Sequence, residues 1–274
     1  MQPEFSIVIP TFRRPVMLKE ALKSVVSQPD IALEIVVVDD CPEGSARETV
    51  EGLNDPRIRY VKNPSPSGGV PSKVRNLGLQ NCRGVHVHFL DDDDIVPSGY
   101  YARVRREFTM SPRAGMAFGR VEPFGDGPPD QLAHERAFFR EASRRAKLCA
   151  RLGSVWPFVG QMLFGQVLLV CSSAILRREC AEAVGGFDPD IVLHEDRDFF
   201  IRVMRSYGAR FIDCPSLHYR IGFPSLMHAS NPSAEQLALE RQGARLLKQK
   251  YLKMRGPIEY YGLNIATKLL NRMN

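Results

Sequence analysis

Several features are scarce in this 274-residue chain, and each scarcity argues against a class of protein. The six cysteines (Cys41, Cys82, Cys149, Cys171, Cys180, Cys214) are scattered, with no CxxC pair and no zinc spacing. Reduced thiols in a cytoplasmic protein are therefore expected. No basic run is interleaved with aromatics, so nothing points to nucleic acid. The first residues, Met1-Gln2-Pro3-Glu4, show no signal-peptide pattern and lead straight into an apolar run. Internal repeats and low-complexity segments are absent. One uncharged stretch, Leu152 to Leu176, reaches membrane-spanning length, but Gly153, Pro157, Gly160, Gly165, Gln161, Gln166, Ser172 and Ser173 interrupt it. A loop followed by a buried segment fits those interruptions better than a spanning helix.

What is present is ordinary in bulk. A hydrophobic content of 44% with 25% charged residues fits a globular chain long enough for one large domain or two small ones. The formal charge of +6 suits a polyanionic partner such as a nucleotide diphosphate or a phospholipid surface.

The chain is organised around Val85 to Pro97, VHVHFLDDDDIVP. Its front half reads as a buried strand that ends in four consecutive aspartates. Neighbouring carboxylates raise one another's pKa unless a cation or hydrogen-bond donors offset the repulsion. Mg²⁺ or Mn²⁺, bound through one or two carboxylates and substrate phosphates, would do so. Open α/β sheets bind ligands at such strand ends.

Upstream, Phe5–Ile9, Ile35–Val38 and Ile58–Val61 read as strands. Val16–Gln28, a segment opened by a Ser45–Glu48 capping box, and Ser72–Asn81 read as helices. Asn63 to Pro71 is a Pro/Ser/Gly loop. Downstream strands are expected at Ala114–Val121, Ser173–Leu176, Ala209–Cys214 and Ser216–Arg220. Helices are expected from Ser98 to Met110, over Leu132–Leu152, Arg177–Val184 and His194–Tyr207, and over Ala234–Arg255, with a tail beyond. This alternation predicts an α/β fold with a mostly parallel sheet.

Seven motifs follow in register: IVIPTFRRP (7–15), VVVDD (36–40), SGGVPSKVRNLGL (67–79), HFLDDDD (88–94), GGFD (185–188), HEDRDFFIRV (194–203) and LHYR (217–220). Their order and spacing closely resemble the family 2 glycosyltransferases, across roughly residues 5–225. The resemblance implies a GT-A fold, in which a Rossmann-like, mostly parallel sheet is flanked by helices beside a smaller acceptor-side subregion. It also implies an inverting, metal-assisted transfer from a UDP-, dTDP- or GDP-linked sugar. The expected division is a nucleotide-sugar half (1–96), an acceptor half (97–225) and a helical extension (226–274).

By that resemblance, Pro10, Thr11, Phe12, Arg14 and Asp40 hold the nucleotide. Phe12 offers a ring face to the base, Asp40 accepts from a base N–H, and Asp39 braces the loop. Lys73 and Arg75 meet phosphate or ribose. Asp91 and Asp93 match the DxD motif, so Asp91 contacts ribose and Asp93 the metal and diphosphate. Asp92 belongs to the same nucleotide segment with its side chain turned away, and Asp94 supports the loop. Glu195-Asp196 matches the ED motif, with Asp196 as general base and Glu195 orienting the acceptor. Asp198 is expected to be structural. His218 is a candidate late ligand to the metal, and His228 is left unassigned. The usual HxxS after the YR pattern is altered to Gly222-Phe223-Pro224-Ser225, which puts closure over the donor in doubt.

The insert at 122–170 combines Arg144, Arg145, Lys147 and Arg151 with Trp156 and Phe158. That composition suits an amphiphilic or phosphorylated acceptor such as a lipid-linked saccharide, and equally a dimer interface or a lid; the resemblance also admits a small natural product as acceptor. The basic helix Ala234–Arg255 suits peripheral membrane contact. Two rivals remain: a degenerate member that binds nucleotide without turnover, and a DxD phosphatase with Asp91 as nucleophile. Phosphatases of that kind place the pair on the first strand and follow it with Thr or Val, whereas Asp94 follows here on about the fourth strand.

Overall fold

The computed structural model describes residues 2–222 and 233–272. His228 and Phe223-Pro224-Ser225 lie outside them. Seven strands form one sheet: β1 (Phe5–Thr11), β2 (Leu33–Asp39), β3 (Ile58–Lys62), β4 (His86–Phe89), β5 (Met116–Phe124), β6 (Ala174–Arg177) and β7 (Ala209–Arg220). Their spatial order is β3-β2-β1-β4-β6-β5-β7. All pairings are parallel except those of β6, which runs antiparallel to both β4 and β5. The mostly parallel α/β sheet that the alternation predicts is the one observed.

Continuous apolar runs make these strands because both faces of the sheet are covered. Residues Val8, Val36, Val38, Val87 and Phe89 point to one face, and Ile7, Ile9, Ile35 and Val37 to the other. The first face is covered by α3 (Pro71–Gln80), α6 (Trp156–Phe164), α8 (Glu195–Tyr207) and α9 (Ala234–Arg272). The second is covered by α1 (Pro15–Val26), α2 (Arg47–Glu51) and α4 (Tyr100–Met110). Helix α5 (Pro129–Arg151) contributes Phe139 to one core and Ala146 and Cys149 to the other, and α7 (Arg178–Ala183) follows β6. All six cysteines are free and buried. Burial pushes the Cys82 and Cys149 thiols up to about 12.

Three local expectations are corrected. The Ser45–Glu48 capping box does not form. Ser45 Oγ has no partner, and Asp39 Oδ2 takes the Ala46 N–H at 2.9 Å instead. The two short strands expected over 209–220 are a single strand, whose pairing with β5 shifts register on either side of Arg120. The tail beyond Arg255 is helical to Arg272, with a break at Gly256 (φ 82°) that divides α9 into 234–255 and 257–272. Residues 152–176 form α6, a short turn and β6. Among the described residues no helix is long and apolar enough to cross a membrane.

The parallel arrangement brings the C-terminal ends of β1, β2 and β4 to one edge, which gathers Thr11, Asp40 and Asp91 there. Helix α3 reaches that edge because it lies directly on β1. A Cβ at Gly78 would stand 2.2 Å from Val8 Cγ1. Gly78→Ala should therefore cost about 1 to 3 kcal/mol through overpacking, despite the better helix propensity of alanine. Gly262→Ala, where nothing lies within 4 Å, should be neutral or stabilising by up to about 1 kcal/mol. Urea denaturation midpoints would measure both, and equal shifts would contradict the close seating of α3.

Candidate active site

A cavity of about 470 Å³ opens at this edge. Asp91, Asp92 and Asp93 form its floor, and the four carboxylates of the run are met by donors from several elements, Arg14 reaching both Asp92 (3.4 Å) and Asp93. Asp91 Oδ1 accepts from Arg75 Nη2 at 2.7 Å. Asp92 Oδ2 accepts from the Thr11 hydroxyl at 2.7 Å, and Asp93 Oδ2 from Arg14 Nη1 at 2.7 Å. Asp94 Oδ1 accepts from the Arg220 backbone N–H at 3.0 Å, with Arg220 Nε on the Asp93 carbonyl at 2.7 Å. Asp92 is thus turned inward, contrary to expectation, while Asp94 supports the loop. Burial pushes the Asp92 carboxyl up to about 7. Asp93 is raised by burial and then by the charge of Asp91.

The floor is anchored from below. Ser172 Oγ accepts from Asp91 N at 3.0 Å, and the Ser172 carbonyl lies 2.8 Å from His88 Nε2. Burial pushes His88 down to about 4, so the ring is neutral. A carbonyl can only accept, so Nε2 carries the hydrogen and Nδ1 accepts from the Tyr101 hydroxyl at 2.9 Å.

Asp39 and Asp40 end β2 and hold different loops. Asp39 accepts from the Cys41 and Ala46 N–H groups and from the Tyr60 hydroxyl. Asp40 accepts from Asn63 Nδ2 (2.6 Å), Ser67 N (2.9 Å), Ser67 Oγ (2.9 Å) and Gly69 N (2.6 Å). Burial works against its charge, but the Ser67 and Gly69 N–H groups hold its pKa below the usual range. A base N–H arriving at Asp40 would have to replace one of these donors.

Opposite the floor, His194 turns at φ 71° and opens α8 with Glu195 and Asp196. Carboxylates suit this position because the helix N-terminus is electropositive. Glu195 Oε1 accepts from Arg75 Nη1 at 2.7 Å. The Arg75 side chain is 6% exposed and bridges the two sides of the cavity. Burial works against its charge, but Cys171, Asp91 and Glu195 hold its pKa above the usual value. Glu195 is raised by burial and by Asp196. Asp196, half-buried, is also raised by burial, against the pull of Arg75. Its Oδ1 accepts from Arg197 N at 2.7 Å. Asp198 pairs with Arg202 at 2.7 Å, away from the cavity lining, as expected of a structural residue.

Pro10, Thr11, Phe12, Arg14, Asp40, Arg75, Asp91, Asp92, Asp93, Glu195 and Asp196 all line the cavity. Lys73 and His218 do not. Lys73 is exposed on α3, and His218 Nε2 faces Glu122 at 3.7 Å with its side chain 42% exposed. The His218 backbone instead pairs with Ile95 and closes the aspartate loop. Sequence reasoning assigned no role to Arg220 or to Asn76, although both fall inside quoted motifs. The Asn76 side chain pairs with the Phe187 backbone in both directions (2.7 and 2.9 Å), locking α3 to the GGFD turn. Phe138, Phe139, Val167, Leu169, Val192 and Leu193 complete an apolar wall. No sequence signal marked them.

The described residues hold no group of three or more potential metal ligands. Asp91 and Asp93 nevertheless fit a hard cation that takes most of its oxygens from diphosphate and water, since their mutual repulsion is what such a cation offsets.

Comparison with known proteins agrees with this geometry. A family profile described as Glycosyl transferase family 2 matches residues 6–165. The GalNAc(5)-diNAcBac-PP-undecaprenol beta-1,3-glucosyltransferase of Campylobacter jejuni is 40% identical over 99 residues, 35% of this chain and 32% of that protein. The poly(ribitol-phosphate) beta-N-acetylglucosaminyltransferase TarS of Staphylococcus aureus is 33% identical over 95 residues, 34% of this chain and 17% of that protein. The chain thus spans a third or less of the length of these relatives. The crystal structure of S. aureus TarS in complex with UDP-GlcNAc superposes with a TM-score of 0.59 at 17% identity, covering 96% of this chain and 79% of that one. A Pyrobaculum calidifontis mannosyltransferase in complex with GDP-Man and Mn²⁺ gives 0.55 at 16% identity, with coverages of 98% and 81%. These likenesses establish the GT-A fold.

Arg75→Met would leave Glu195 buried without its counterion, at a cost of about 3 to 5 kcal/mol. A buried carboxyl with a raised pKa stabilises below its unfolded pKa and loses that contribution as pH rises. The deficit of the variant should therefore grow from about pH 5 to pH 8 in urea titrations. A pH-independent deficit would show that Glu195 does not depend on Arg75.

Proposed function

The chain belongs to glycosyl transferase family 2, and from that premise we propose that it transfers a sugar from a nucleoside-diphosphate sugar to an acceptor hydroxyl with inversion. One observation carries the reading: Arg75 spans the cavity, and ties the carboxylates on the donor side to the ED helix on the acceptor side. In this reading Thr11, Phe12 and Asp40 receive the nucleoside, and Arg14, Arg75 and Asp91 lie along the ribose and diphosphate. UDP- and GDP-linked donors are candidates because the structural neighbours bind UDP-GlcNAc and GDP-Man, and dTDP-linked donors are candidates through the family resemblance. Asp91 and Asp93 would hold Mg²⁺ or Mn²⁺, which when bound neutralises charge on a departing diphosphate.

Asp196 removes the proton from the acceptor hydroxyl. The acceptor oxygen bonds to the anomeric carbon as the bond from that carbon to the diphosphate oxygen breaks, and the electron pair leaves with the nucleotide. Glu195, fixed by Arg75, orients the acceptor. The apolar wall formed by Phe138, Phe139, Val167, Leu169, Val192 and Leu193 supports an acceptor with a hydrocarbon portion, either lipid-linked or a small natural product. On this reading residues 1–96 form the donor half of the chain and residues 97–225 the acceptor half, and the protein works in the cytoplasm, where such donors are found.

Calorimetric titration with UDP, GDP and dTDP, with and without Mn²⁺, tests the donor site. Selective, metal-dependent binding that Asp93→Ala weakens is expected, and no binding of any diphosphate would overturn the reading. Asp196→Asn should keep donor affinity and lose about 10²- to 10⁴-fold in kcat. Because burial raises the Asp196 carboxyl, activity should fall as pH drops through a value above the ordinary carboxylate range. Full turnover by Asp196→Asn would remove Asp196 as base. Tight binding without turnover by the wild type would favour a binding-only member.

A further inference from the structure

The 257–272 segment of α9 has two apolar faces, and the described residues cover only one. Leu263 and Thr267 are buried, and Tyr260 packs on Phe164 with ring centroids 4.7 Å apart. On the opposite side Ile258 is 90% exposed, Tyr261 53%, Ile265 62% and Leu269 55%. Their spacing of three and four residues makes them one continuous stripe along the helix. The other exposed residues of the segment include Gly262, Ala266, Lys268 and Arg272, and none is acidic. Its single acid, Glu259, is withdrawn from the face by Arg205 (3.0 Å) and the Tyr251 hydroxyl (2.7 Å). Trp156, partly exposed, stands over the same Arg205 at 4.1 Å, so an indole flanks the N-terminal end.

We propose that this face lies in the interface of an anionic phospholipid bilayer, with Ile258, Tyr261, Ile265 and Leu269 among the acyl chains and Lys268 and Arg272 at the headgroups. An exposed apolar stripe bordered only by cations has the pattern of an in-plane membrane helix. Charge argues against a second copy as the occupant, since a two-fold pairing would set this acid-free face against its own cations. The exposed stripe lies beyond the basic 234–255 segment that the sequence singles out, and that segment turns apolar residues inward. Its Leu247 and Tyr251 are turned into the core, and Lys250 is held by Asp188. The inference concerns partition rather than turnover, so it stands or falls separately from the transferase reading.

The test is flotation of the full chain with vesicles of phosphatidylcholine alone or with about one quarter phosphatidylglycerol. The wild type should float with the anionic vesicles, and added salt should weaken the association. The combined variant Ile258→Ser, Ile265→Ser, Leu269→Ser should lose about tenfold or more in partition, because the side chains it removes supply the apolar burial. Lys268→Glu with Arg272→Glu should lose the preference for anionic vesicles while keeping the apolar stripe. Unchanged melting temperatures and nucleotide affinity would show that both variants fold. The proposal is overturned if the wild type stays with the unbound fraction, or if the serine variant floats as the wild type does. It is equally overturned if sedimentation velocity finds a wild-type dimer that the serine substitutions disperse.

Discussion

One buried guanidinium holds the two sides of the site in register. Arg75 donates to Asp91 at the end of β4 and to Glu195 at the start of α8, residues 104 positions apart in the chain. Burying a cation is unfavourable unless it is paired and hydrogen-bonded. Here each carboxylate meets one arm of the fork, and the planar, rigid guanidinium fixes the two donors at a set spacing, which a compact ammonium does not. The pairing only works if α3, which carries Arg75, is fixed, and the Gly78 contact with β1 and the Asn76 clasp on Phe187 fix it. The chemistry therefore rests on helix seating that involves no catalytic group.

The reversal of β6 matters in the same way. By running antiparallel beside β4, it delivers the Cys171–Ser173 turn to the underside of the aspartate loop. Ser172 then satisfies the Asp91 N–H and, through its carbonyl, fixes the tautomer of His88. Four adjacent acids are tolerable because donors from different parts of the chain meet them: Arg75 at Asp91, Thr11 at Asp92, Arg14 at Asp93 and at longer range Asp92, and the Arg220 backbone at Asp94. Neutralisation by distributed partners lets the loop carry potential metal ligands without collapsing on itself.

Much of this was legible in the sequence. Buried parallel strands announce themselves as unbroken apolar runs, and the residues at their C-terminal ends follow from topology. The aspartate run is legible from that position alone, whereas Thr11 and Asp40 are named only through the family resemblance. The capping box does not form because the helix opens at Arg47 rather than after Ser45, with Asp39, at the preceding strand end, holding the Ala46 N–H. The direction of Asp92 depends on Thr11, 81 residues away, and no local pattern encodes it. Lys73 shares a helix with Arg75 but sits two residues away, on another side of the helix. The apolar wall from α5 and the loop before β6 is set by where an insert packs, which composition does not reveal. The last residues read in the sequence only as a tail beyond Arg255, and it is the packing that shows them as a helix with one side facing outward.

The full complement of donors on Asp40 has a consequence for affinity. A ligand that needs this carboxylate competes with Asn63, Ser67 and Gly69, which the chain holds there at high effective concentration. The observed affinity is then the intrinsic one scaled by the fraction of molecules in which the 63–71 loop has let go. Residues of that loop that never touch the ligand would thereby set its dissociation constant. Ser67 alone supplies two of the four bonds, one from its backbone N–H and one from its hydroxyl, so the placement of a single residue governs a large part of that competition.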